Sequence, residues 1–385
     1  MNEHLHIFLV GGARPNFMKV APVYQVLVAR VDGVRAQGLE LRVSIVHTGQ
    51  HYDENMSDIF FKDLGIPRPD RHLEVGSGSH ANQTAKIMVT FEKVLWEDRP
   101  DLVVVVGDVN STIACALTAK KQNVKVAHIE AGLRSFDMGM PEEINRKLTD
   151  AISDFLFVSE ESGVRNLRAE GIPGDKIFLV GNVMIDTLLR NLTRIEMGEF
   201  VPNSIVQGFC GAGKQYAVLT LHRPSNVDSR EVFTPLWGAI SEIAHQIPIF
   251  FPVHPRTRAK IAEFGLDGTG VTMVDPIGYL DMLYAVKNAA MVLTDSGGLQ
   301  EETTVLGVPC VTIRENTERP ITVEVGTNYL AGTKQEGILS VAREILSGNA
   351  KKGSVPPLWD GKAAERIADI LLQNKTFTSF YSSSE

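Results

Sequence analysis

The sequence has little cysteine: three residues, Cys115, Cys210 and Cys310, in a chain of 385. They lie far apart, form no C-x-x-C pair and match no zinc-ligand spacing, which excludes a disulfide scaffold and a zinc site built on thiolates. We predict that all three are buried packing residues and that the chain has no metal site.

The chain also lacks any apolar run close to the ~20 residues that span a bilayer. Its N-terminus, MNEHLHIFLVGG, lacks the basic residues and the longer apolar run of a signal peptide. Lysine and arginine number 38 against 46 acidic residues, a formal net charge of −8, which argues against a general nucleic-acid-binding protein. These absences predict a cytoplasmic protein that binds neither nucleic acid nor membranes.

What the sequence does contain is ample apolar material in a repeating order. Apolar residues make up 44% of the chain and charged residues 22%, as in folded globular proteins. Short apolar runs such as Leu102–Val106 alternate with amphipathic helical stretches, a pattern typical of strands buried on both faces of a parallel sheet. We therefore predict the α/β class, with two Rossmann-like, doubly wound parallel-sheet domains facing each other across a cleft.

The restart of the strand–helix pattern after Gly181 sets the predicted domain bounds. They are 1–182 for an N-terminal domain, 183–362 for a C-terminal domain and 363–385 for a helix and tail, for which packing against the N-terminal domain is one option. Residues 199–215 are rich in glycine and polar residues without a period, which predicts a loop. The predicted strands are Ile7–Val10, Val43–Val46, Leu102–Val106, Val124–Ile129, Phe155–Val158 and Ile177–Val180, then Tyr216–Leu221, Ile249–Val253, Val271–Val274, Met291–Thr294 and Val308–Ile313.

Candidate ligand residues follow the first predicted strand, because doubly wound sheets bind ligands at the carboxyl ends of their strands. Gly11 and Gly12 allow a ligand to approach the backbone closely, and Arg14 and Lys19 add positive charge near a helix start. This combination suits a phosphate group. An ordinary turn with two solvated cations is the alternative interpretation.

Acidic residues follow the next strands of the same half. Asp108 comes directly after Leu102–Val106, and Glu130 and Arg134 lie in the run HIEAGLR. Glu142 lies in the run MPEEINR, twelve residues after Glu130. Structural alternatives exist for each: a helix cap for Asp108, a Glu130–Arg134 ion pair, and a normal acidic first helical turn for Glu142.

The second half repeats this arrangement with other chemistry. His222 and His254 each stand at the end of a predicted strand. Ser296, Gly297 and Gly298 lie between a strand and a helix, where backbone N–H groups can hold a diphosphate. Two further candidates follow: Glu302, which suits ribose hydroxyls, and Arg319, a further cation for a phosphate.

Together these residues predict chemistry on a nucleotide-sugar. A phosphate-binding helix start with cations stabilises a departing diphosphate. Carboxylates beside it suit proton abstraction or the activation of water. The reacting atom would be the anomeric carbon of the sugar or its neighbour.

The runs GGARPNFMK, TGQHYDEN, GDVNST, HIEAGLRS, MPEEINR, LTLHRPSN, TDSGGLQEE and TERP occur in this order. Together they resemble the non-hydrolysing UDP-N-acetylglucosamine 2-epimerase family, over residues 6 to about 332. The resemblance implies the two-domain glycosyltransferase-B architecture, UDP bound in the interdomain cleft, and often a homodimer. It also implies interconversion of UDP-GlcNAc and UDP-ManNAc by anti elimination of UDP, through 2-acetamidoglucal, with no metal or redox cofactor.

The resemblance also assigns roles by motif position. The family's catalytic carboxylates fall on Asp108, Glu130 and Glu142, and its catalytic histidine falls on His222. The assignment of base and acid among the carboxylates stays open because coupled groups titrate together. The nucleotide contacts carry over to Arg14, Lys19, Ser296 with Gly297 and Gly298, Glu302 and Arg319. Arg134 and His254 are further predicted substrate-binding residues.

Three departures from the family pattern affect the expected substrate and regulation. Many bacterial members have Arg-Arg-Glu-Asn after the catalytic histidine, where this chain has Arg223-Pro224-Ser225-Asn226. Gln50 and His51 match the start of a motif that binds a second UDP-GlcNAc as an activator, but the next residues differ and the stretch 76–86 has no arginine. A UDP-2,3-diacetamido uronic acid, which needs the same chemistry at C2, therefore remains an alternative substrate.

Three other functions stay open at this point. A hydrolysing epimerase would release UDP and free ManNAc, and cleft closure, which excludes water, separates it from the non-hydrolysing kind. A glycosyltransferase of the same architecture would need an acceptor groove. A non-catalytic nucleotide-sugar sensor would not need the acidic motifs that this chain retains.

Overall fold

The computed structural model describes residues 3–49, 61, 64–211 and 213–373. Within these residues the strands form two sheets, and every strand pair is parallel. This confirms the predicted class of two parallel α/β domains. The first sheet contains β1 (Glu3–Gly11), β2 (Leu39–His47), β3 (Arg71–His72), β4 (Leu102–Val106), β5 (Lys125–Ala131), β6 (Phe155–Val158) and β7 (Ile177–Leu179). The second contains β8 (Ala217–Thr220), β9 (Ile249–Pro252), β10 (Val271–Val274), β11 (Met291–Thr294), β12 (Cys310–Thr312) and β13 (Asn328–Leu330).

Strand order places a topological switch point near the middle of each sheet. The first sheet runs β3-β2-β1-β4-β5-β6-β7 and the second runs β10-β9-β8-β11-β12-β13. The chain order therefore reverses between β1 and β4, and again between β8 and β11. Ligands of open α/β sheets bind at the carboxyl ends of the strands at such a point.

Helices surround both sheets and cover the apolar strands. All five residues of β4 are buried, as expected for a strand that is covered on both faces. The helices are α1 (Arg14–Ala29), α2 (Val31–Arg35), α3 (His80–Glu97), α4 (Asn110–Lys121), α5 (Pro141–Ile152), α6 (Glu161–Ala169), α7 (Val183–Glu196) and α8 (Ser204–Phe209). They continue with α9 (Pro224–Val227), α10 (Arg230–Ala244), α11 (Pro255–Phe264), α12 (Tyr279–Lys287), α13 (Gly297–Leu306), α14 (Pro320–Glu324), α15 (Gln335–Leu346) and α16 (Ala363–Gln373).

The prediction of a structureless loop over 199–215 is wrong, because α8 lies inside it. The side chain of Asn203 accepts hydrogen bonds from the N–H groups of Ile205 and Val206, at 3.1 and 3.0 Å. This cap starts the helix, and the buried Val206 side chain anchors it to the core of the second sheet. A short capped helix with one buried contact has no long apolar period to reveal it.

Two edge strands, β3 and β13, are not among the strands predicted from apolar runs. β3 has only two residues, both polar. In β13 the buried residue is Asn328, whose amide bonds to Thr312, Gln300 and Thr322 instead of packing in an apolar core. Such edge strands are therefore held by hydrogen bonds, which a hydropathy pattern does not detect.

The chain divides into two compact units, Met1–Thr187 with Pro357–Glu385, and Leu188–Pro356. The C-terminal helix α16 belongs to the first unit. Its first N–H groups, at Ala363 and Ala364, donate to the Asp186 carboxylate at 3.2 and 2.7 Å.

The three cysteines are buried and free, as predicted. No helix in the described ranges combines the length and the apolar character needed to cross a bilayer.

Candidate active site

The predicted acid Glu130 lies at an irregular point of β5. Ile129 pairs with Phe157 and Ala131 with Val158, so the register of β5 with β6 shifts at Glu130. Its φ is +73°, a left-handed conformation that costs a non-glycine residue of order 1–3 kcal/mol. Backbone strain at a buried carboxylate is typical of functional sites.

Lys19, predicted as a phosphate ligand, forms an ion pair with the Glu130 carboxylate. Both side chains are about nine-tenths buried. Gly107, which follows β4, lies against the pair: an added Cβ there would be 3.3 Å from Lys19 Nζ and 3.6 Å from Glu130 Oε2. The switch point between β1 and β4 thus brings Lys19 and Glu130 together, with Gly107 leaving room for both.

Asp108 is held by the helix α5. Arg146 donates to Asp108 Oδ2 at 2.5 Å and to Glu143 Oε2 at 2.8 Å, so its guanidinium bridges the two carboxylates. The Asn145 amide donates to the main-chain oxygen of Asp108 at 2.9 Å. These contacts place the first turns of α5 beside the end of β4, and Asp108 keeps a partly exposed side chain.

The structure separates the two neighbouring glutamates of the MPEEINR run. Glu143 is buried and accepts from the N–H groups of Ser135 and Phe136, at 2.9 and 3.1 Å. Glu142 is partly exposed, and no hydrogen bond or ion pair involves it among the residues that the structure describes. Glu143 therefore holds the loop before α5, whereas Glu142 is available to a ligand.

Arg134, a predicted substrate-binding residue, forms ion pairs inside the first unit. Its buried guanidinium pairs with Asp150 at 2.7 Å and with Glu170 at 2.6 Å, and not with Glu130 as the structural alternative assumed. Burial opposes its charge, but the hydrogen bonds to Glu170 and Asp150 outweigh burial and raise the pKa of Arg134. This burial and pairing indicate a structural role.

In the second unit, His222 follows β8 and Asp295 follows the neighbouring strand β11. Their side chains meet at 2.9 Å between His222 Nδ1 and Asp295 Oδ1. Asp295 is fully buried, whereas 51% of the His222 side chain is exposed. Burial opposes ionisation of Asp295, but the His222 ring and the main-chain N–H groups of Arg223 and His222 outweigh it and lower the pKa of the carboxyl.

The predicted diphosphate site is the start of α13. Ser296 is the N-cap residue and makes no side-chain cap hydrogen bond, so its side chain satisfies none of the first helical N–H groups. A Cβ added at Gly297 would lie 2.6 Å from Arg319 Nη1, whereas one at Gly298 would have no heavy atom within 4 Å. The fold therefore brings Arg319 to this helix start, and Gly297 is required for its approach.

Two buried glutamates hold Arg319 in place. Its guanidinium pairs with Glu318 at 2.5 Å and with Glu301 at 2.8 Å. Glu318 also pairs with Arg314, at 2.7 Å, and lies 3.9 Å from Arg223. Three arginines thus cluster with two carboxylates beside the start of α13, so guanidinium donors lie near a helix N-terminus.

Two other predicted binding residues have partners inside the second unit. Glu302 is buried and accepts a hydrogen bond from the Tyr279 hydroxyl at 2.9 Å. Burial raises the pKa of Glu302 to about 7, although the Tyr279 bond acts in the opposite direction. His254 caps α11 by accepting from the Arg256 N–H at 3.3 Å, a local structural role.

Three predicted residues lie wholly or partly outside the description. Arg14 is the first residue of α1, and its side chain is not described. Gln50 and His51 lie outside the described residues. Among the residues that are described, no group of three or more His, Cys, Asp or Glu side chains is arranged to hold a metal ion.

Sequence reasoning missed Asp295, Arg146 and Tyr279, each of which contacts a predicted site residue. Asp295 had a signal: it ends the strand next to β8, and the register pairs Thr294 with Thr220. That register puts Asp295 beside the turn that carries His222. Arg146 and Tyr279 lie on helices, and the sequence does not specify how each helix is rotated about its own axis relative to the sheet.

Comparison with known proteins identifies the family. A sequence profile described as UDP-N-acetylglucosamine 2-epimerase matches residues 34–372. The UDP-N-acetylglucosamine 2-epimerase of Methanocaldococcus jannaschii is 43% identical over 96% of this chain and 100% of its own length. The UDP-2,3-diacetamido-2,3-dideoxy-D-glucuronate 2-epimerase of Pseudomonas aeruginosa is 40% identical over 95% of this chain and 99% of its own length.

Solved structures agree with this assignment. The crystal structure of the M. jannaschii enzyme in complex with UDP-GlcNAc and UDP has a TM-score of 0.85, and the match covers 96% of this chain and 100% of that one. A Neisseria meningitidis UDP-GlcNAc 2-epimerase bound to UDP-GlcNAc has a TM-score of 0.80 at 28% identity, covering 96% and 100% of the two chains. The chain therefore belongs to the UDP-N-acetylglucosamine 2-epimerase family and is an enzyme of the UDP-sugar 2-epimerase class.

Proposed function

We propose that the enzyme interconverts UDP-GlcNAc and UDP-ManNAc without net hydrolysis. The observation that carries the proposal is the set of chemically capable side chains that each unit contains. The first unit presents the carboxylates Asp108, Glu130 and Glu142, and the second presents a half-exposed histidine and a helix start with Arg319. The 43% identity to an enzyme solved with UDP-GlcNAc and UDP supports this substrate.

The proposed reaction is an anti elimination followed by re-addition. A carboxylate removes the C2 proton, the C1–O bond to UDP breaks, and a C1–C2 double bond forms in 2-acetamidoglucal. UDP then adds back to C1 while a proton is delivered to the opposite face of C2. The overall reaction is redox-neutral, so no redox cofactor is proposed.

Each set of residues has a task in this scheme. The carboxylates Asp108, Glu130 and Glu142 move protons at C2, with their individual assignment left open. The N–H groups at the start of α13 and the charge of Arg319 stabilise the departing diphosphate. His222 contacts that diphosphate or assists its departure.

We also propose that the enzyme is a homodimer in solution.

A second candidate substrate is the UDP-2,3-diacetamido uronic acid. The observation that favours it is the 40% identity to the Pseudomonas aeruginosa epimerase of that sugar. The C2 chemistry is the same in both cases. Side-by-side assays with the two UDP-sugars, compared by kcat/KM, decide between them.

Proton NMR in deuterated water tests the reaction class. UDP-ManNAc formed from UDP-GlcNAc is expected to carry deuterium at C2, because a carboxylate exchanges its proton with solvent between the two half-reactions. Asp108→Asn, Glu130→Gln and Glu142→Gln are each expected to lose about 10²–10⁴-fold in rate while still binding UDP. Stoichiometric free ManNAc would indicate the hydrolysing reaction, and transfer to an added acceptor with protium kept at C2 would indicate a glycosyltransferase.

A further inference from the structure

The buried carboxylate of Asp295 is bound from several sides at the end of β11. Its Oδ2 accepts from the N–H groups of His222 and Arg223, at 3.0 and 2.9 Å, and from the Asn226 amide at 3.2 Å. Its Oδ1 faces Nδ1 of the His222 ring at 2.9 Å. Oδ2 therefore holds the backbone of the turn after β8, and Oδ1 holds the imidazole ring while also accepting a longer bond from the His222 N–H, at 3.3 Å.

This division decides which nitrogen of His222 carries the hydrogen. An ionised carboxylate only accepts hydrogen bonds, so Nδ1 of the ring must donate. In the neutral ring Nε2 then has the lone pair, and it belongs to a side chain that is half exposed. Nε2 is the nitrogen that remains for a substrate, because Nδ1 is occupied by the protein.

We propose that Asp295 is a positioning residue for catalysis: it holds His222 in the tautomer and orientation that present Nε2 to the UDP-sugar. The inference rests on the proposed function for the identity of the reaction, but the ring state that it specifies exists without substrate. Asp295 acts through His222 and need not contact the substrate itself.

Asp295→Asn is a close test of this role. The amide oxygen can take the place of Oδ2 and keep the bonds from the His222 and Arg223 N–H groups. The amide nitrogen then faces Nδ1 and donates to it, which moves the ring hydrogen to Nε2. In Ser-His-Asp enzymes the same replacement of the buried carboxylate leaves the geometry intact and lowers kcat about 10⁴-fold through the wrong tautomer.

The expected result is a kcat lower by about 10²–10⁴-fold with a nearly unchanged Kd for UDP. The effect should be strongly non-additive with His222→Gln: once the ring is gone, Asp295→Asn should lower kcat less than about 3-fold further. Asp281→Asn is the matched control, because that partly buried carboxylate also accepts a main-chain N–H bond, from Asn203 at 2.9 Å in the same unit. It should leave kcat and the Kd for UDP unchanged.

Nitrogen-15 NMR of histidine-labelled protein measures the ring state directly, with the His222 signals assigned by their loss in His222→Gln. The unmodified enzyme should show His222 with the hydrogen on Nδ1 and Asp295→Asn should show it on Nε2. A neutral ring with its hydrogen on Nε2 in the unmodified enzyme would overturn the proposal, even if Asp295→Asn fails to fold. A folded Asp295→Asn enzyme with normal kcat would overturn it equally.

The same measurements keep the two proposals apart. Absence of UDP-GlcNAc epimerisation by the unmodified enzyme contradicts the proposed function, whereas the NMR result needs no substrate. A loss of kcat in Asp295→Asn that adds fully to that of His222→Gln would mean that Asp295 acts through the structure of the turn alone, and the positioning role would be rejected.

Discussion

Each unit contains a histidine whose Nδ1 meets a buried aspartate, yet the two pairs differ in what the other ring nitrogen does. In the first unit, His128 Nδ1 lies 2.6 Å from Asp150, and His128 Nε2 donates to the main-chain oxygen of Gly107 at 2.8 Å. Its side chain has no exposure, against 51% for His222 in the second unit. In the first unit, protein atoms occupy both ring nitrogens, and we call this pair closed. In the second unit, Nε2 belongs to a half-exposed side chain, and we call that pair open.

The two pairs differ in the surroundings of the second ring nitrogen, and we propose that this difference separates a structural pair from one that acts on a ligand. Asp150 also accepts from the Gly132 N–H at 3.0 Å and pairs with Arg134. It thereby fixes the backbone on both sides of Glu130, while His128 ties β5 to Gly107, next to Asp108. The closed pair supports the carboxylates, whereas the open pair leaves Nε2 on a half-exposed side chain.

The largest expected effect tests the open pair. His222→Gln should lower the epimerisation rate by about 10²–10⁴-fold, because it removes the exposed ring nitrogen. The free energy of unfolding should fall only modestly, by about 1–2 kcal/mol, because the glutamine amide can still donate to the buried Asp295 carboxylate in place of Nδ1. Steady-state kinetics and denaturant titration measure the two quantities. A folded variant with the normal rate would remove His222 from the chemistry and end the contrast.

The closed pair should respond in the opposite way. Asp150→Ala leaves Arg134 and the Gly132 N–H with a lost partner in the interior, and breaking a buried ion pair costs about 3–5 kcal/mol. The free energy of unfolding from denaturant titration should fall by that amount. Asp32→Ala is the control, because that carboxylate is almost fully exposed and its ion pair with Arg35 is long, at 3.9 Å. A change below about 1 kcal/mol in Asp150→Ala would show that the contacts of Asp150 with His128, Arg134 and the Gly132 N–H do not stabilise the first unit.

Ligand binding beside the open pair is tested at the start of α13. Gly297→Val forces a side chain against Arg319 Nη1 and Glu318 Oε1, which a Cβ alone would approach to 2.6 and 2.9 Å. The Kd for UDP from calorimetry should rise at least about 10-fold, equal to about 1.4 kcal/mol. Gly208→Ala is a matched control, since a Cβ there meets no heavy atom within 4 Å. An unchanged Kd in Gly297→Val would exclude this helix start from the UDP site.

A third histidine, His47, has no aspartate partner among the described residues and extends the comparison to pH. Burial, followed by the neighbouring His72, lowers the pKa of His47 to about 4, and its Nδ1 accepts from the Gly49 N–H at 2.6 Å. Because the folded pKa lies below the unfolded value near 6.5, the unfolded chain takes up the proton first as the pH falls. Stability is therefore complete above pH 6.5 and decreases between pH 6.5 and about 4.

The expected loss from His47 is about 1.4 kcal/mol between pH 7.5 and 5.5, measured by denaturant titration at both values. The comparison is with His47→Gln, whose amide oxygen can still accept from Gly49 but does not titrate. This variant should lose less stability than the unmodified protein over the same interval. Equal losses would show that His47 is not buried in its neutral form.

Much of the fold was predictable because the central strands are short apolar runs. β4, β6 and β11 have the bounds that hydropathy predicted, since their residues are all buried and a strand covered on both faces is largely apolar. The bounds of the edge strand β10 also match, although only Val271 of its four residues is buried. Several site positions were predictable for a related reason: Asp108, His222 and Ser296 each come two residues after the end of an apolar strand. Polar edge strands and the capped helix α8 were not, because hydrogen bonds and a single buried contact hold them.

The roles of individual polar residues were less predictable. Sequence singled out Glu142 and gave its neighbour Glu143 no role, whereas the structure buries Glu143 and bonds it to the loop before α5. Arg134, a predicted substrate-binding residue, lies in a buried ion pair. Lys19 was expected at a phosphate, and the structure pairs it with Glu130. Each outcome depends on which side chains of other elements face the residue.

The sequence alone determined the parallel α/β class, the strand ends at which chemistry is possible and the residue types present there. The tertiary structure decided which histidine is closed and which is open. Asp150 reaches His128 across 22 residues, and Asp295 reaches His222 across 73. Contacts at such separations depend on strand order and register, and these arise from the packing of whole sheets, which no local pattern of residues encodes.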